Sequence, residues 1–271
     1  MKQVEKKAVF FDIDGTLLEV TAGHKSLTPA VRQAILELRM AGHHTFIASG
    51  RPLAYIDPEL TQSSLFDGMV LMNGAAVMLD GKVIFEQPLP RERVDELIAL
   101  CEREHIQYIL QGVQHAYLLP EFHELADFYR SIYIDADRFV RDFDPRAVAT
   151  CKLEFWTPQP EKYRLFEPYL ALPELTGLRD PYHAENMEMY GTAVSKGSGI
   201  LQALRYLHLP RSASYAFGDG LNDLEMMETV GTALAMGNGR PEVKALADYT
   251  VPGVREDGVA WGIENVILAN D

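Results

Sequence analysis

Short apolar runs that end in polar turns alternate with amphipathic stretches at both ends of this chain. Residues 7–14, KAVFFDID, make a compact run of Val, Phe and Ile with charge at either end, the pattern of a parallel-sheet strand buried on both faces. Thr28 followed by Pro29 reads as an N-cap and first helical position. Val31, Ala34, Ile35 and Leu38 then continue with helical spacing until Gly42. HHTFIASGRP predicts a second strand that ends in a Ser-Gly-Arg turn, and strand–helix–strand is the unit of a parallel α/β sheet. LFDGMVLMNGAAVMLDGKVIFEQ continues with strand-like runs, with Asp80-Gly81 as a two-residue hairpin turn.

The texture changes between residues 87 and 184. PRERVDELIALCEREH places Val94, Leu97, Ile98 and Cys101 on one helical face, and IQYILQG, HAYLLP and CKLEFWTP are strand candidates separated by a Pro- and charge-rich interior. Beyond it the first texture returns: SKGSGILQALRYLHL predicts a helix, SASYAFGDG a strand, LNDLEMMETV a helix and TALAMGNG a strand. The expected organisation is an α/β chain with a doubly wound, Rossmann-like parallel-sheet core built from residues 1–86 and 185–271. Residues 87–184 are expected to form an inserted α/β domain.

Composition narrows the function classes. A formal net charge of −14 argues against nucleic acid as a partner, because phosphate-backbone binding relies on a basic surface. No run reaches the roughly 20 apolar residues of a membrane helix. The N-terminus MKQVEKKAVFF leads into a strand without a small-residue cleavage site, so a cytoplasmic location is expected. Cys101 and Cys151 lie in no CxxC pair and read as reduced, partly buried thiols. His43 and His44 read as solvated turn residues, and Met226, Met227 and Trp156 as packing. No protein partner is implied.

Four stretches place polar groups at predicted strand or helix ends, where an open parallel sheet meets its ligand. They are DIDGT with Asp12 and Asp14, ASGR with Ser49 and Arg51, the helix opening at Ser195-Lys196-Gly197, and FGDGLND with Asp219, Asn222 and Asp223. Acids gathered at one point repel unless a cation sits among them, and an all-oxygen donor set suits Mg²⁺. Asp12 could then attack phosphorus as a carboxylate nucleophile. Gly15 lets the chain turn so that Asp14 can move a proton at the leaving oxygen. Ile13, Ser49, Gly50, Lys196 and Asn222 are candidates to hold the phosphoryl group, Asp12, Asp14 and Asp219 to hold the metal, and Asp223 and Arg51 to support them from behind. Glu154, Trp156, His183 and Glu185 are candidates for reading the rest of a substrate.

DIDGT, ASGR, SKG and GDGLND, in this order, resemble the four motifs of the haloacid dehalogenase superfamily. NGA at 73–75, NMEMYGTAVSKGSGI, GDGLNDLEM, AMGNGRPEVKALADY and EDGVAWGIENV are similar to its Cof-like branch of sugar-phosphate phosphatases. The resemblance covers both ends of the core; the insert matches in length and placement only. It implies a capped phosphatase that uses Mg²⁺ and an aspartyl-phosphate on a small phosphorylated metabolite. Two alternatives stay open: a phosphomutase or phosphotransferase of the same superfamily, and a non-catalytic protein that binds phosphorylated metabolites.

Overall fold

A computed structural model describes residues 5–19, 25–180 and 183–270. Residues 1–4 of the N-terminal stretch therefore lie outside the described residues. Along the chain run β1 (Ala8–Phe11), α1 (Pro29–Met40), β2 (His44–Ala48), α2 (Pro58–Thr61), β3 (Gly68–Leu71), β4 (Ala76–Leu79) and β5 (Lys82–Glu86). Next come α3 (Arg91–Glu104), β6 (Gln107–Gln111), β7 (Ala116–Leu118), α4 (His123–Ser131), β8 (Lys152–Trp156), α5 (Glu167–Leu170), β9 (Leu175–Arg179) and β10 (Asn186–Gly191). The chain continues with α6 (Lys196–Leu207), β11 (Ser214–Gly218), α7 (Leu224–Thr229), β12 (Thr232–Ala235), α8 (Pro241–Leu246), β13 (Tyr249–Thr250) and α9 (Gly258–Gly262). The chain divides into two compact units: residues 1–50, 57–85 and 195–271, and residues 51–56 with 86–194.

The first unit is built on an eight-stranded sheet in the order β13-β12-β11-β1-β2-β3-β4-β5. Neighbours from β13 to β3 run parallel, and β4 turns back antiparallel on β3. β1 is buried at all four positions because alternate side chains serve opposite layers. Ala8 and Phe10 join Phe46, Ala48, Val70 and Ala216 in a core shared with Ile200 of α6 and Met226 and Met227 of α7, where Phe10 and Phe46 stack at 5.0 Å. Phe11 faces the other way and stacks on Phe217 at 5.2 Å. Thr28 caps α1 as its spacing predicts, accepting from Val31 N at 3.2 Å, and its hydroxyl donates to Asp257 at 2.6 Å. The Asp80-Gly81 turn has positive φ at both residues, as a tight hairpin requires.

The expectation for His43 needs correction. It is buried, not solvated, and its Nδ1 accepts from the Lys7 main chain at 3.2 Å. The turn after α1 runs inward to reach β2 beside β1, so a ring there is covered. LNDLEMMETV also differs from a continuous helix: a 3₁₀ turn over Leu221–Asp223 precedes α7.

The second unit holds a five-stranded antiparallel sheet, β7-β6-β8-β10-β9. Tyr108, Leu110, Leu153, Phe155, Met187 and Met189 point to one side and pack with Val94, Leu97, Ile98 and Cys101 of α3. The opposite side is partly polar, carrying Gln111, Lys152, Glu154 and Glu188. A second apolar cluster there joins Ile109 to Leu125, Phe128 and Tyr129 of α4 and to Ala54 and Tyr55. Both cysteines are buried and unpaired.

Candidate active site

Strand order explains where the chemistry gathers. From β1 the sheet grows through β2 and β3 on one side and through β11, β12 and β13 on the other, so the connections diverge at β1 and leave a crevice at the strands' carboxyl ends. Asp12 follows the last residue of β1 and is tied down by its N–H to Phe217 O at 3.0 Å. Gly15 then takes φ +86°, and a Cβ there would lie 2.2 Å from Asp219 Oδ2, so only glycine lets the turn close over the β11 loop. Asn238 fixes the same turn by donating to Gly15 O at 2.8 Å, and Thr16 donates to Asp219 Oδ1 at 3.2 Å.

Lys196 ties the site together. Ser195 caps α6 in a reciprocal pair with Ser198, and Lys196 follows at the first helical position, fully buried. Its ammonium donates to Asp12 Oδ1 at 2.5 Å and to Asp223 Oδ1 at 2.6 Å. Asp223 Oδ2 accepts from the main chains of Asp219 and Gly220, each at 2.9 Å, so both of its oxygens are engaged within the site. Burial works against the Lys196 charge, but Asp12 and Asp223 overcome it and hold the ammonium above its usual pKa.

Asp12, Asp219 and Asp223 present carboxylate oxygens within 4.8 Å of one another. Burial pushes the Asp12 carboxyl well above its ordinary range against the pull of Lys196, with Asp223 and Asp14 adding to the rise. Burial and Asp223 likewise push Asp219 up to about 6. Asp12 Oδ2 and Asp219 Oδ2 accept no hydrogen bond among the described residues. Two raised acids with unused oxygens form a donor set that fits a hard divalent cation. Asp14 is exposed on the turn, and its side chain is not part of the acidic cluster.

Ser49 follows β2, buried, and its N–H reaches Val70 O at 2.8 Å; Gly50 comes next. Asn222 is exposed on the 3₁₀ turn beside Asp223. Ile13 is buried behind Asp12. Arg51 belongs to the second unit and donates to Tyr55 O at 3.4 Å. Also in that unit, Glu154 is buried with both oxygens taken: Gln111 donates to one at 2.6 Å and Tyr129 to the other at 2.5 Å, with Lys152 at 3.3 Å. Trp156 packs partly against the α4 cluster, and His183 meets Phe128 edge-on at 5.3 Å. Glu185 is half-buried, and its carbonyl accepts from Tyr163 at 2.6 Å. Sequence reasoning assigned no role to Thr16, Asn238, Gln111, Tyr129 or Lys152. Thr16 and Asn238 sat inside quoted motifs, whereas Gln111 and Lys152 meet through the register of β6 on β8 and Tyr129 joins them at Glu154 from α4.

Comparison with known proteins gives the family and the fold. The family model for haloacid dehalogenase-like hydrolases matches residues 9–263. The protein YkrA of Bacillus subtilis (strain 168) is 30% identical over 269 residues, covering 98% of this chain and 99% of its own. The 5-amino-6-(5-phospho-D-ribitylamino)uracil phosphatase YitU of the same organism is 28% identical over 93% of this chain and 94% of its own. A crystal structure of a Geobacillus kaustophilus HTA426 protein superposes with TM-score 0.85 at 28% identity, covering 97% of this chain and all of the other. The structure of BT4131, described as a sugar phosphatase of subclass IIB, superposes with TM-score 0.77 at 26% identity over 96% of this chain and 98% of the other. The chain belongs to the haloacid dehalogenase-like hydrolases.

Proposed function

We propose that this chain is a Mg²⁺-dependent phosphatase that hydrolyses small phosphomonoesters, of the sugar-phosphate kind, through an aspartyl-phosphate on Asp12. The observation that carries it is the Lys196 ammonium shared between Asp12 and Asp223, beside an Asp219 carboxyl raised to about 6. Lys196 fixes Asp12 Oδ1 and leaves Oδ2 to act. Asp12 Oδ2 attacks phosphorus, the ester P–O bond breaks, and the Asp14 carboxyl gives its proton to the departing alkoxide. Water then attacks phosphorus, Asp14 takes the water's proton, and the P–Oδ2 bond breaks to release phosphate. Asp12 and Asp219, with the Asp14 carbonyl, would hold Mg²⁺, which when bound offsets the phosphoryl charge that the carboxylates would otherwise repel. Ile13 and Gly50 would turn main-chain N–H groups to the phosphoryl oxygens, Ser49 its hydroxyl, and Asn222 a carboxamide.

Residues 87–184 are assigned the reading of the substrate's remainder. Trp156, His183 and Glu185 remain candidates for contact. Glu154, with both oxygens bound inside its own unit, serves to position its neighbours. Among the described residues no helix is long and apolar enough to cross a membrane, and a cytoplasmic enzyme acting on free metabolites goes with the reading.

The test is a panel of phosphorylated metabolites and p-nitrophenyl phosphate, with and without Mg²⁺, for wild type and Asp12→Asn. Phosphate release by wild type with Mg²⁺, abolished in a folded Asp12→Asn, is expected. Turnover by Asp12→Asn sinks the nucleophile. Positional isomers in place of free phosphate mark a mutase, and binding without turnover marks a sensor.

A further inference from the structure

We infer that Glu188 is a specificity-determining residue for a polyol: its second carboxylate oxygen accepts from hydroxyl groups of the substrate's remainder, and its charge turns away a remainder that is itself anionic. The inference rests on the phosphatase reading and adds the residue that selects the part of the substrate beyond its phosphate.

Strand register puts Glu188 on the face of the five-stranded sheet away from α3. Glu188 of β10 stands opposite Glu154 of β8 and Leu178 of β9, and Tyr190 opposite Lys152 and Thr176. α4 covers the end of this face carried by β6 and β7, where Ile109 and Leu118 pack with Leu125, Phe128 and Tyr129. Toward β9 the cover thins. Leu178 is 55% exposed, and Thr176, Glu188 and Tyr190 are half-buried.

Lys152 is buried beneath this open part, paired with Glu188 and 3.3 Å from Glu154. Burial works against its charge, but the two acids overcome it and hold the ammonium above its usual range. One cation against two carboxylates leaves an excess of negative charge. The two acids differ in what they have left to offer. Glu154 has both oxygens bound by Gln111 and Tyr129. Glu188 gives Oε2 to Lys152, its Oε1 accepts nothing among the described residues, and its side chain is 22% exposed. Two deeper oxygens on the same face, Gln111 Oε1 and Asn186 Oδ1, also have no partner. The buried side-chain groups left unmet here are thus acceptors, as is the open oxygen of Glu188, and only a donor completes an acceptor. A polyol brings several O–H donors, whereas a second phosphate or a carboxylate brings acceptors and a like charge.

An acid kept only to neutralise Lys152 would also stand here, and two variants separate the roles. Glu188→Ala removes the acceptor and leaves Lys152 with Glu154; Glu188→Gln keeps an acceptor of the same shape and removes the charge. With saturating Mg²⁺, kcat/KM is measured for the best sugar monophosphate of the panel above, for fructose bisphosphate and for p-nitrophenyl phosphate, alongside the thermal midpoint. Wild type should prefer the monophosphate to both others; preference for the bisphosphate overturns the inference. In Glu188→Ala the ratio of monophosphate to p-nitrophenyl phosphate should fall about ten-fold, through KM, as for one lost hydrogen bond to a charged group. In Glu188→Gln that ratio should fall less, while the preference for monophosphate over bisphosphate narrows. A lowered midpoint with both ratios as in wild type marks a neutralising role, overturns the assignment of Glu188 and leaves the phosphatase reading intact. Should Glu188→Ala fail to fold, the same two ratios in Glu188→Gln decide. Failure of wild type to release phosphate from any of the three substrates overturns that reading and this inference with it.

Discussion

At Gly15 a single missing side chain decides the geometry of the acidic cluster. The residue sits at φ +86°, where any Cβ adds about 1–2 kcal/mol of backbone strain, and the Cβ itself would overlap the Asp219 carboxylate at 2.2 Å. Gly15→Ala must therefore displace either the turn that carries Asp14 or the Asp219 side chain. The expected outcome is a protein destabilised by about 1–3 kcal/mol that needs at least ten-fold more Mg²⁺ for half-maximal turnover, read by urea unfolding and by Mg²⁺ titration of activity. Unaltered Mg²⁺ dependence would show that Asp219 does not hold the ion. Asp223 works differently: with one oxygen on Lys196 and the other on two main-chain N–H groups, it is committed to shaping the site.

The elements of the second unit meet on the partly polar side of their sheet. β6 and β8 bring Gln111 opposite Lys152, and β8 and β10 bring Glu154 opposite Glu188, so one antiparallel register assembles a buried network. Lys152 pairs with Glu188 and lies 3.3 Å from Glu154, while Gln111 also donates to Tyr55 at 3.0 Å. Removing one member strands the others. Glu154→Leu removes the acceptor of the Tyr129 hydroxyl and one of the two acceptors of the Gln111 amide, leaves Lys152 with one acid, and should cost about 3–5 kcal/mol in urea unfolding. Glu154→Gln keeps a polar partner in place and should cost less than half as much; equal losses would mean that packing, not pairing, sets the stability. This network also marks where sequence reading stopped. The first unit was legible because its strands are continuous apolar runs and α1 carries a Thr-Pro start and a regular stripe. Asp12, Lys196, Asp219 and Asp223, which the chain brings together from three segments, could be proposed because motifs at strand ends mark each one separately. In the second unit, β9 and β10 were not anticipated, since LTGLR and NMEMYG interleave small or polar residues and lack a β-branched run. The short α4 hid behind Pro120 in a charge-rich stretch. His43 was misjudged because local polarity does not report which neighbour will cover a ring.

For the whole molecule, the acidic cluster links pH, metal and stability with a definite sign. Asp219 ionises at about 6 in the folded chain against an ordinary 3.8, so between those values the folded state binds more protons than the unfolded one. Metal-free stability from this group is therefore present at low pH and lost as pH rises through about 6, and Asp12, raised by burial, acts in the same direction. A cation that uses the ionised oxygens competes with those protons. Its affinity must increase over the window in which they leave. Mg²⁺ at a hundred times its dissociation constant stabilises a folded protein by about 2.7 kcal/mol, so the increase is visible in thermal unfolding. Between about pH 5 and pH 7 the midpoint without Mg²⁺ should carry this downward contribution, while the upward shift on adding Mg²⁺ should grow. Asp219→Asn has no proton to lose there, and should reduce the metal-free contribution to the part left by Asp12 and abolish most of the Mg²⁺ shift. A wild-type Mg²⁺ shift of constant size across the window would mean that the ion does not displace protons from Asp12 and Asp219, and would remove the metal from this site.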